Sequence, residues 1–325
     1  VRKTHILLRG DYKQKGAEVE PGVPGVFPAL PGGAKVTRLS FAQWLVAPGH
    51  PLTARVAVNY LWQHFFGRGL VATPGDFGVQ GARPSHPELL DWLADEFVRS
   101  GWDRKHLVRI IVNSSTYRQS STVVPGKDRG NTLLAGMPRR RLQAEQIRDQ
   151  ALAVSGLLVP VIGGPPVFPL QPKGFYEERG QNAAGNSNFN WVNSKGDDRH
   201  RKTLYTYWKR MALHPAMATL DAPPRQVCVT RRSTTNTPQQ ALVTMNDPVF
   251  HECAVAFAGR ILSSVQEDNF PARIGYAFRM CLGREPDPGE LQHFMEFLEQ
   301  GSDRQAGWTS IASVLLNLDE TLTRE

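Results

Sequence analysis

Three polar residues between Pro51 and Gly67 could support catalysis. Arg55 and Asn59 lie four residues apart, and so on one face of a helix, and Gln63 extends this line by four more. His64 follows directly and has the side chain best suited to act as a general base near neutral pH. We take Arg55, Asn59 and His64 as the candidate catalytic residues. We also predict that Arg55, Asn59 and Gln63 are largely buried and hydrogen-bonded. The alternative for His64 is a surface or core histidine without a catalytic role.

A second polar group predicts an anion site. The string TRRSTTNTPQQAL contains Arg231, Arg232, Asn236 and Thr237, and a helix start follows, with Thr237 as N-cap and Pro238 in the first turn. A helix N-terminus offers unpaired N–H groups and a partial positive charge, and arginine forks suit carboxylate, sulfate or phosphate. We therefore predict these four residues as ligand-binding. The alternative is an internal ion pair with an acid such as Asp221 or Asp247.

The arginine triplet Arg139–Arg141 is another place where an anion could bind. It precedes a predicted helix from Gln143 to Ser155. Helical spacing relates Arg141 to Glu145 and Glu145 to Arg148, so we expect ion pairs on one face of that helix. Such pairs are the alternative to an anion site here.

Known catalytic and metal-binding motifs are absent from the sequence. There is no H-E-x-x-H, no G-x-S-x-G, no P-loop and no G-x-G-x-x-G after a strand. Cys228, Cys253 and Cys281 form neither C-x-x-C nor C-x-x-C-H, so we expect no metal and no haem in this chain. One disulfide between two of them remains open.

The charge of the chain favours anionic partners. Its 325 residues carry a formal net charge of +8, and arginine greatly outnumbers lysine. An anionic polysaccharide or an acidic protein fits this charge, whereas a nucleic acid is disfavoured because no helix-turn-helix or zinc pattern accompanies it. The alternative is that the arginines form ion pairs within the protein. No apolar stretch is long enough to span a membrane.

Hydrophobic periodicity predicts a mainly α, multi-helix globular fold with a short N-terminal strand or extended segment and a long irregular central loop. A strand is expected near Thr4–Arg9, and the Pro- and Gly-rich residues after it form a connector. The predicted parts are an extended segment at 1–37, a first helical half at 38–156, the loop at 157–200 and a second helical half at 201–325, with 38–325 forming one compact domain.

The helices themselves follow from apolar spacing and capping residues. One runs from Pro51 to Gly67, the next begins at Ser85 with Glu88 completing a capping box, and a third runs from about Asp103 towards Tyr117. In the second half, helices are expected at about 238–245, 248–265, 270–282, 288–299 and 305–318.

The central loop contains several aromatic residues among glycine, proline and asparagine. Aromatic rings in such a loop could stack on sugars or bases, or they could attach the loop to the rest of the protein. The residues concerned are Phe168, Phe175, Tyr176, Phe189 and Trp191.

Several long strings resemble one known family. These include NYLWQHFFGRGLVATPGDFG, PSHPELLDWLADEF, GWDRKHLVRIIVNSSTYRQSS and RKTLYTYWKR. They are similar to a planctomycete-type domain of unknown function that closes large secreted proteins, after domains resembling c-type cytochromes. The resemblance implies an exported parent protein, periplasmic or at the cell surface. It also implies an upstream cytochrome-like domain as partner, with haem only in that domain. This chain has no signal peptide and begins at Val1, so we expect it to be an excised C-terminal part.

Two classes of function follow. The first is a helical accessory module of an exported cytochrome-linked protein that binds an anionic ligand or a partner. The second is an enzyme with an unfamiliar site that acts on polysaccharide in an exported redox system. A deep pocket lined by Arg55, Asn59, His64, Arg231 and Arg232 would favour the enzyme, and a flat or convex basic face would favour the module.

Overall fold

A computed structural model describes most of the chain. The described residues are 3–30, 36–122, 128, 130–172, 175, 191–209, 212–265, 269–301 and 303–324. They divide into two compact units, Val1–Pro138 and Arg139–Glu325. Helices predominate in both units, and the described strands form only two short antiparallel pairs. The prediction of a mainly α fold with a short N-terminal strand is therefore confirmed.

The first unit begins with a β-hairpin. Strand β1 (Thr4–Leu7) pairs with β2 (Lys15–Val19), and the chain turns through Arg9 and Gly10, both at positive φ. The predicted strand near Thr4 is confirmed. Strand β2 was not predicted, because its sequence KGAEV combines a glycine with two charged residues and lacks apolar alternation.

Four helices follow in the first unit, and local hydrogen bonds determine where they begin. They are α1 (Arg38–Leu45), α2 (Thr53–Phe66), α3 (Pro87–Arg99) and α4 (Arg104–Asn113). Helix α2 starts two residues after Pro51, since His50 Nδ1 accepts from the backbone N–H groups of Leu52 and Thr53. It ends at Gly67, as predicted, because Gly67 takes up the left-handed conformation with φ of 76°.

The predicted capping box between Ser85 and Glu88 is wrong. His86 is the N-cap residue of α3, and no side chain caps this helix. Ser85 is engaged elsewhere: its backbone N–H donates to Leu70 O over 2.8 Å and its hydroxyl donates to the same oxygen over 3.3 Å. Pro87 then occupies the first turn, where it needs no hydrogen-bond acceptor.

The core of the first unit lies between α2, α3 and α4. Trp62 and Phe66 of α2 stack with ring centroids 4.2 Å apart, and Leu93 of α3 and Leu107 of α4 are fully buried against this cluster. Within each helix the apolar residues recur at three- and four-residue steps, so each helix buries one face and exposes the other to solvent.

The second unit is built around one long helix. Its elements in order are β3 (Arg140–Arg141), α5 (Ala144–Ser155), two 3₁₀ turns (Gly196–His200 and Thr203–Tyr205), α6 (Pro215–Thr219), α7 (Pro238–Asn246), α8 (Pro248–Ser264), α9 (Phe270–Leu282), α10 (Pro288–Gln300), α11 (Arg304–Asn317), α12 (Asp319–Leu322) and β4 (Thr323–Arg324). Helix α8 packs against α5 and α11, and its Phe257 and Ile261 are fully buried with Trp308 of α11. The five helices expected after residue 237 all exist, within two residues of the predicted bounds.

Aromatic residues of the irregular segment pack onto the second unit. Phe168 stacks on Tyr207 with centroids 5.0 Å apart, and Trp191 meets Phe168 edge-on at 5.1 Å. The Trp191 ring also lies 5.7 Å from that of His214. The attaching role is thus confirmed for Phe168 and Trp191, whereas Tyr176 and Phe189 lie outside the described residues.

Within the described part of the chain, no helix is long and apolar enough to cross a membrane.

Candidate functional site

Arg55, Asn59 and His64 all lie on α2 but do not form a joint site. Arg55 and His64 are nine positions apart in the sequence, which places them about 180° apart around a helix. Arg55 donates to Asp91 Oδ1 over 2.6 Å and to the carbonyl of Pro51. The side chain of Asn59 is buried, with 1% exposure, whereas His64 is exposed to solvent. The hydrogen bond from Arg55, and then its charge, hold the pKa of the Asp91 carboxyl below its ordinary value. Their catalytic role stays a prediction.

The predicted burial of the polar line on α2 holds for Asn59 only. Asn59 is buried, and both polar atoms of its side chain are hydrogen-bonded to the backbone of Val71, as expected. Arg55 is hydrogen-bonded as predicted, but its side chain is 38% exposed, because Asp91 lies at the surface between α2 and α3. Gln63 is half-buried.

In the second unit, a hydrogen-bond network holds the segment that leads into α7. Asp221 accepts from the Thr235 backbone N–H over 2.7 Å and from the Thr235 hydroxyl over 2.9 Å. Gln240, 5% exposed, donates to Asp221 Oδ2 and to Thr235 Oγ1, and its Oε1 accepts from the N–H of Thr237. The predicted helix start at Thr237 is therefore correct, with Gln240 closing it.

Arg141 completes this network from β3. Its guanidinium donates to Thr235 O and Gln240 Oε1 and lies 3.7 Å from Asp221 Oδ2. Partial burial raises the pKa of the Asp221 carboxyl, but the bonds from Thr235 and Gln240 and the charge of Arg141 outweigh it and keep the pKa below the ordinary value. Asp221 also has a φ of 64°, a strained conformation for a residue with a side chain, and the network holds it there.

The ion pairs predicted along α5 are wrong. Glu145 does not pair with Arg141 or Arg148 but accepts from Arg232 Nη1 over 2.7 Å. Arg148 is 2% exposed and donates to the carbonyls of Arg199 and Arg201 instead. Sequence spacing identifies only partners on the same helix, whereas Glu145 meets a residue 87 positions away.

Three arginines form a cationic patch beside the network. Arg140 and Arg324 lie directly opposite each other in the β3–β4 pair, so their side chains project from the same face of this pair. Burial, and then the nearby charge of Arg231, lower the pKa of Arg140. Arg231 and Arg324 are exposed. We call Arg140, Arg231 and Arg324 the cationic patch.

The ligand-binding residues predicted from sequence divide around this patch. Arg231 belongs to the patch, whereas Arg232 is held by Glu145. Asn236 is exposed and Thr237 is half-buried at the start of α7. The triplet Arg139–Arg141 indicated Arg140 as part of an anion site. Nothing in the sequence indicated Arg324 as its neighbour, because β3 and β4 are more than 180 residues apart.

Many of the remaining arginines bind backbone carbonyls inside the second unit. Arg201 is 4% exposed and donates to Pro165 O and Gly163 O, and Arg273 is equally buried and donates to Leu262 O and Val265 O at the end of α8. Arg260 donates to Val154 O at the end of α5. These arginines therefore stabilise helix ends and irregular turns. They do not contribute to a surface that could bind a polyanion.

No group of three or more histidine, cysteine, aspartate or glutamate side chains with metal-binding geometry occurs among the described residues. The three cysteines are free, Cys228 at the surface and Cys253 and Cys281 in the core. The expectation that this chain holds no metal and no haem stays a prediction.

Comparison with known protein families identifies one match. A family model described as "PSD1: Protein of unknown function (DUF1553)" matches residues 37–298. Searches of curated proteins and of solved structures found no match. Since the family model covers well over half of the chain, the chain belongs to this family.

Proposed function

We propose that this member of the PSD1 family is an accessory module that binds an anionic ligand at the cationic patch. Such a module positions its parent protein on a partner or on a charged polymer. It contributes binding, and the chemistry is left to other domains.

The exposed guanidinium of Arg231 is the observation that carries the proposal. The charge near it is another cation, Arg140, whose pKa is lowered by burial and then by the charge of Arg231. Among the described residues, no carboxylate lies within ion-pair distance of Arg231, in contrast to Arg232. Two neighbouring arginines repel each other, and a bound anion removes that repulsion while accepting hydrogen bonds from both.

The loop that carries Arg231 is also held in place before any ligand binds. Thr235 is fixed by both carboxylate oxygens of Asp221, and Arg141 and Gln240 hold the same turn. A pre-organised loop loses little conformational entropy on binding, so more of the interaction energy appears as affinity.

The ligand class follows from the geometry of guanidinium groups. Arginine forks bind carboxylate, sulfate and phosphate in a bidentate manner, and three of them suit a polymer that carries such groups at intervals. An anionic polysaccharide fits this requirement, and an acidic protein segment is the other ligand of the same chemistry.

The test compares two arginine variants of equal charge. Arg231→Gln changes the patch, and Arg118→Gln removes an exposed arginine of the first unit as the matched control. Sulfated, carboxylated and neutral oligosaccharides of equal length are titrated against both variants and the unaltered chain by calorimetry. We expect the anionic oligomers to bind, with at least about tenfold weaker affinity in Arg231→Gln and little change in Arg118→Gln. Equal affinity in the two variants would remove the patch from consideration.

We further infer that the parent protein is exported and carries a c-type cytochrome-like domain ahead of this chain, as in planctomycete-type relatives. The support is the resemblance of the strings between residues 59 and 121 and of RKTLYTYWKR. Purifying the full parent protein and recording its cell fraction and its haem absorbance tests both points. A haem-free parent protein in the cytoplasm would contradict them.

A further inference from the structure

A cavity in the first unit is lined by residues other than those of the cationic patch and other than Arg55, Asn59 and His64. It has a volume of about 100 Å³ and opens to solvent. Its lining combines an apolar base with a polar rim, and the residues that matter are Trp62, Phe66, Leu70 and Leu134 for the base and Arg68 and Thr132 for the rim.

Internal hydrogen bonds hold the wall formed by residues 69–71. The buried side chain of Asn59 exchanges two hydrogen bonds with the backbone of Val71, and Leu70 O accepts from Ser85. A side chain at Gly69 would come within 2.6 Å of the Asn59 amide, so glycine lets this wall lie against α2. These hydrogen bonds and the close contact at Gly69 hold the wall against α2.

The opposite wall is held just as firmly. Asn131 bonds to both the N–H and the carbonyl of Gly136, and the carboxylate of Asp128 accepts from the backbone N–H groups of Thr132 and Leu133. Asn131 and Leu134 have φ values of 45° and 59°. Strained backbone of this kind is concentrated at ligand-binding sites, where the surrounding structure maintains it.

The rim presents a cation whose hydrogen-bonding capacity is largely unused. Arg68 has one long hydrogen bond, to Thr132 Oγ1 over 3.5 Å, and among the described residues no carboxylate lies within ion-pair distance.

We propose that this cavity binds a small organic carboxylate with a short branched apolar tail. Arg68 binds the carboxylate at the rim, and the tail replaces water against Trp62, Phe66, Leu70 and Leu134. An apolar cavity with a few polar groups at its edge is the usual form of a small-molecule site. Its volume is below that of a cavity of about 150 Å³ known to hold benzene, so a tail of four or five carbon atoms is the appropriate size.

The test uses three ligands that separate the two halves of this recognition. Isovalerate carries both the carboxylate and the tail, acetate carries only the carboxylate, and 3-methylbutan-1-ol carries only the tail. Each is titrated against the chain by ligand-observed NMR. We expect saturable binding of isovalerate and at least about tenfold weaker binding of the other two.

Two variants locate the site. Arg68→Gln removes the rim cation, and Arg83→Gln removes another exposed arginine of the same unit that does not line the cavity. Both residues are at the surface, so both variants are expected to fold. Isovalerate affinity falls at least about tenfold in Arg68→Gln and is unchanged in Arg83→Gln. Equal affinities in the two variants, equal binding of the alcohol, or no saturable isovalerate signal would overturn the proposal. None of these results depends on the cationic patch.

Discussion

Asn59 and Val71 are joined by two hydrogen bonds, which connect α2 to the segment that follows it. Asn59 Nδ2 donates to Val71 O over 3.1 Å, and Asn59 Oδ1 accepts from Val71 N over 2.8 Å. Both residues are buried, at 1% and 2% exposure. The amide side chain thus replaces the strand partner that this piece of backbone lacks.

Replacing Asn59 by alanine is expected to destabilise the first unit by about 2–4 kcal/mol, because two buried backbone groups of Val71 lose their partners. Urea unfolding measured by circular dichroism gives the change in the free energy of unfolding. Asn113→Ala is the matched control, since Asn113 is an exposed helical asparagine, and it should cost less than about 1 kcal/mol. Similar losses in the two variants would show that the Asn59 bonds are not specifically stabilising.

Two glycines should respond to alanine in opposite ways. At Gly69 a Cβ atom would lie 2.6 Å from the Asn59 amide and 2.7 Å from Val71 O, so Gly69→Ala should destabilise by roughly 1–3 kcal/mol. At Gly259, in the middle of α8, a Cβ atom meets open space, and Gly259→Ala should stabilise by about 0.5–1 kcal/mol. Thermal unfolding distinguishes the two signs, and a stable Gly69→Ala variant would show that the wall can move.

The stability of the second unit should fall as pH decreases from about 6.5 to 4. Burial lowers the pKa of His214 to about 4, while the Leu170 carbonyl opposes this shift and the charge of Arg148 adds to it. Since the unfolded histidine binds a proton more readily, the neutral native form has its full stability above the unfolded pKa and loses roughly 3 kcal/mol through this window.

Comparing His214→Phe with the exposed-site control His251→Gln, in the same unit, isolates that effect. Urea unfolding at pH 7 and at pH 4.5 should show a smaller pH dependence in His214→Phe than in the unaltered chain, with His251→Gln unchanged. The same pH dependence in all three proteins would assign the loss to other groups.

The three cysteines should differ in reactivity. Cys228 is exposed, whereas burial raises the pKa of the Cys253 thiol to about 11 and that of Cys281 to about 12. Only the thiolate is nucleophilic, so alkylation at pH 8 of the native chain should label Cys228 alone. Mass spectrometry of the digested protein checks the site, and Cys228→Ser should take up label only after unfolding. Fast labelling of Cys253 in native protein would contradict the buried assignment.

The helices could be predicted because the interactions that define them are local. Apolar residues recur within two turns, and the cap residues Asp103 and Asp287 accept from N–H groups no more than three residues away. Where a distant partner intervened, as Leu70 does at Ser85, the predicted helix start was wrong.

The sites depend on contacts between residues far apart in the chain. The sequence alone indicated Arg231, Arg232 and the triplet at Arg139–Arg141 as basic groups, but it could not say that Glu145 pairs with Arg232. That choice, and the placement of Arg324 beside Arg140, depend on which surfaces the core of the second unit brings together. Helical spacing identifies partners of an acidic residue only one turn away on its own helix. Tertiary packing can instead place it next to any basic residue on the surface that faces it.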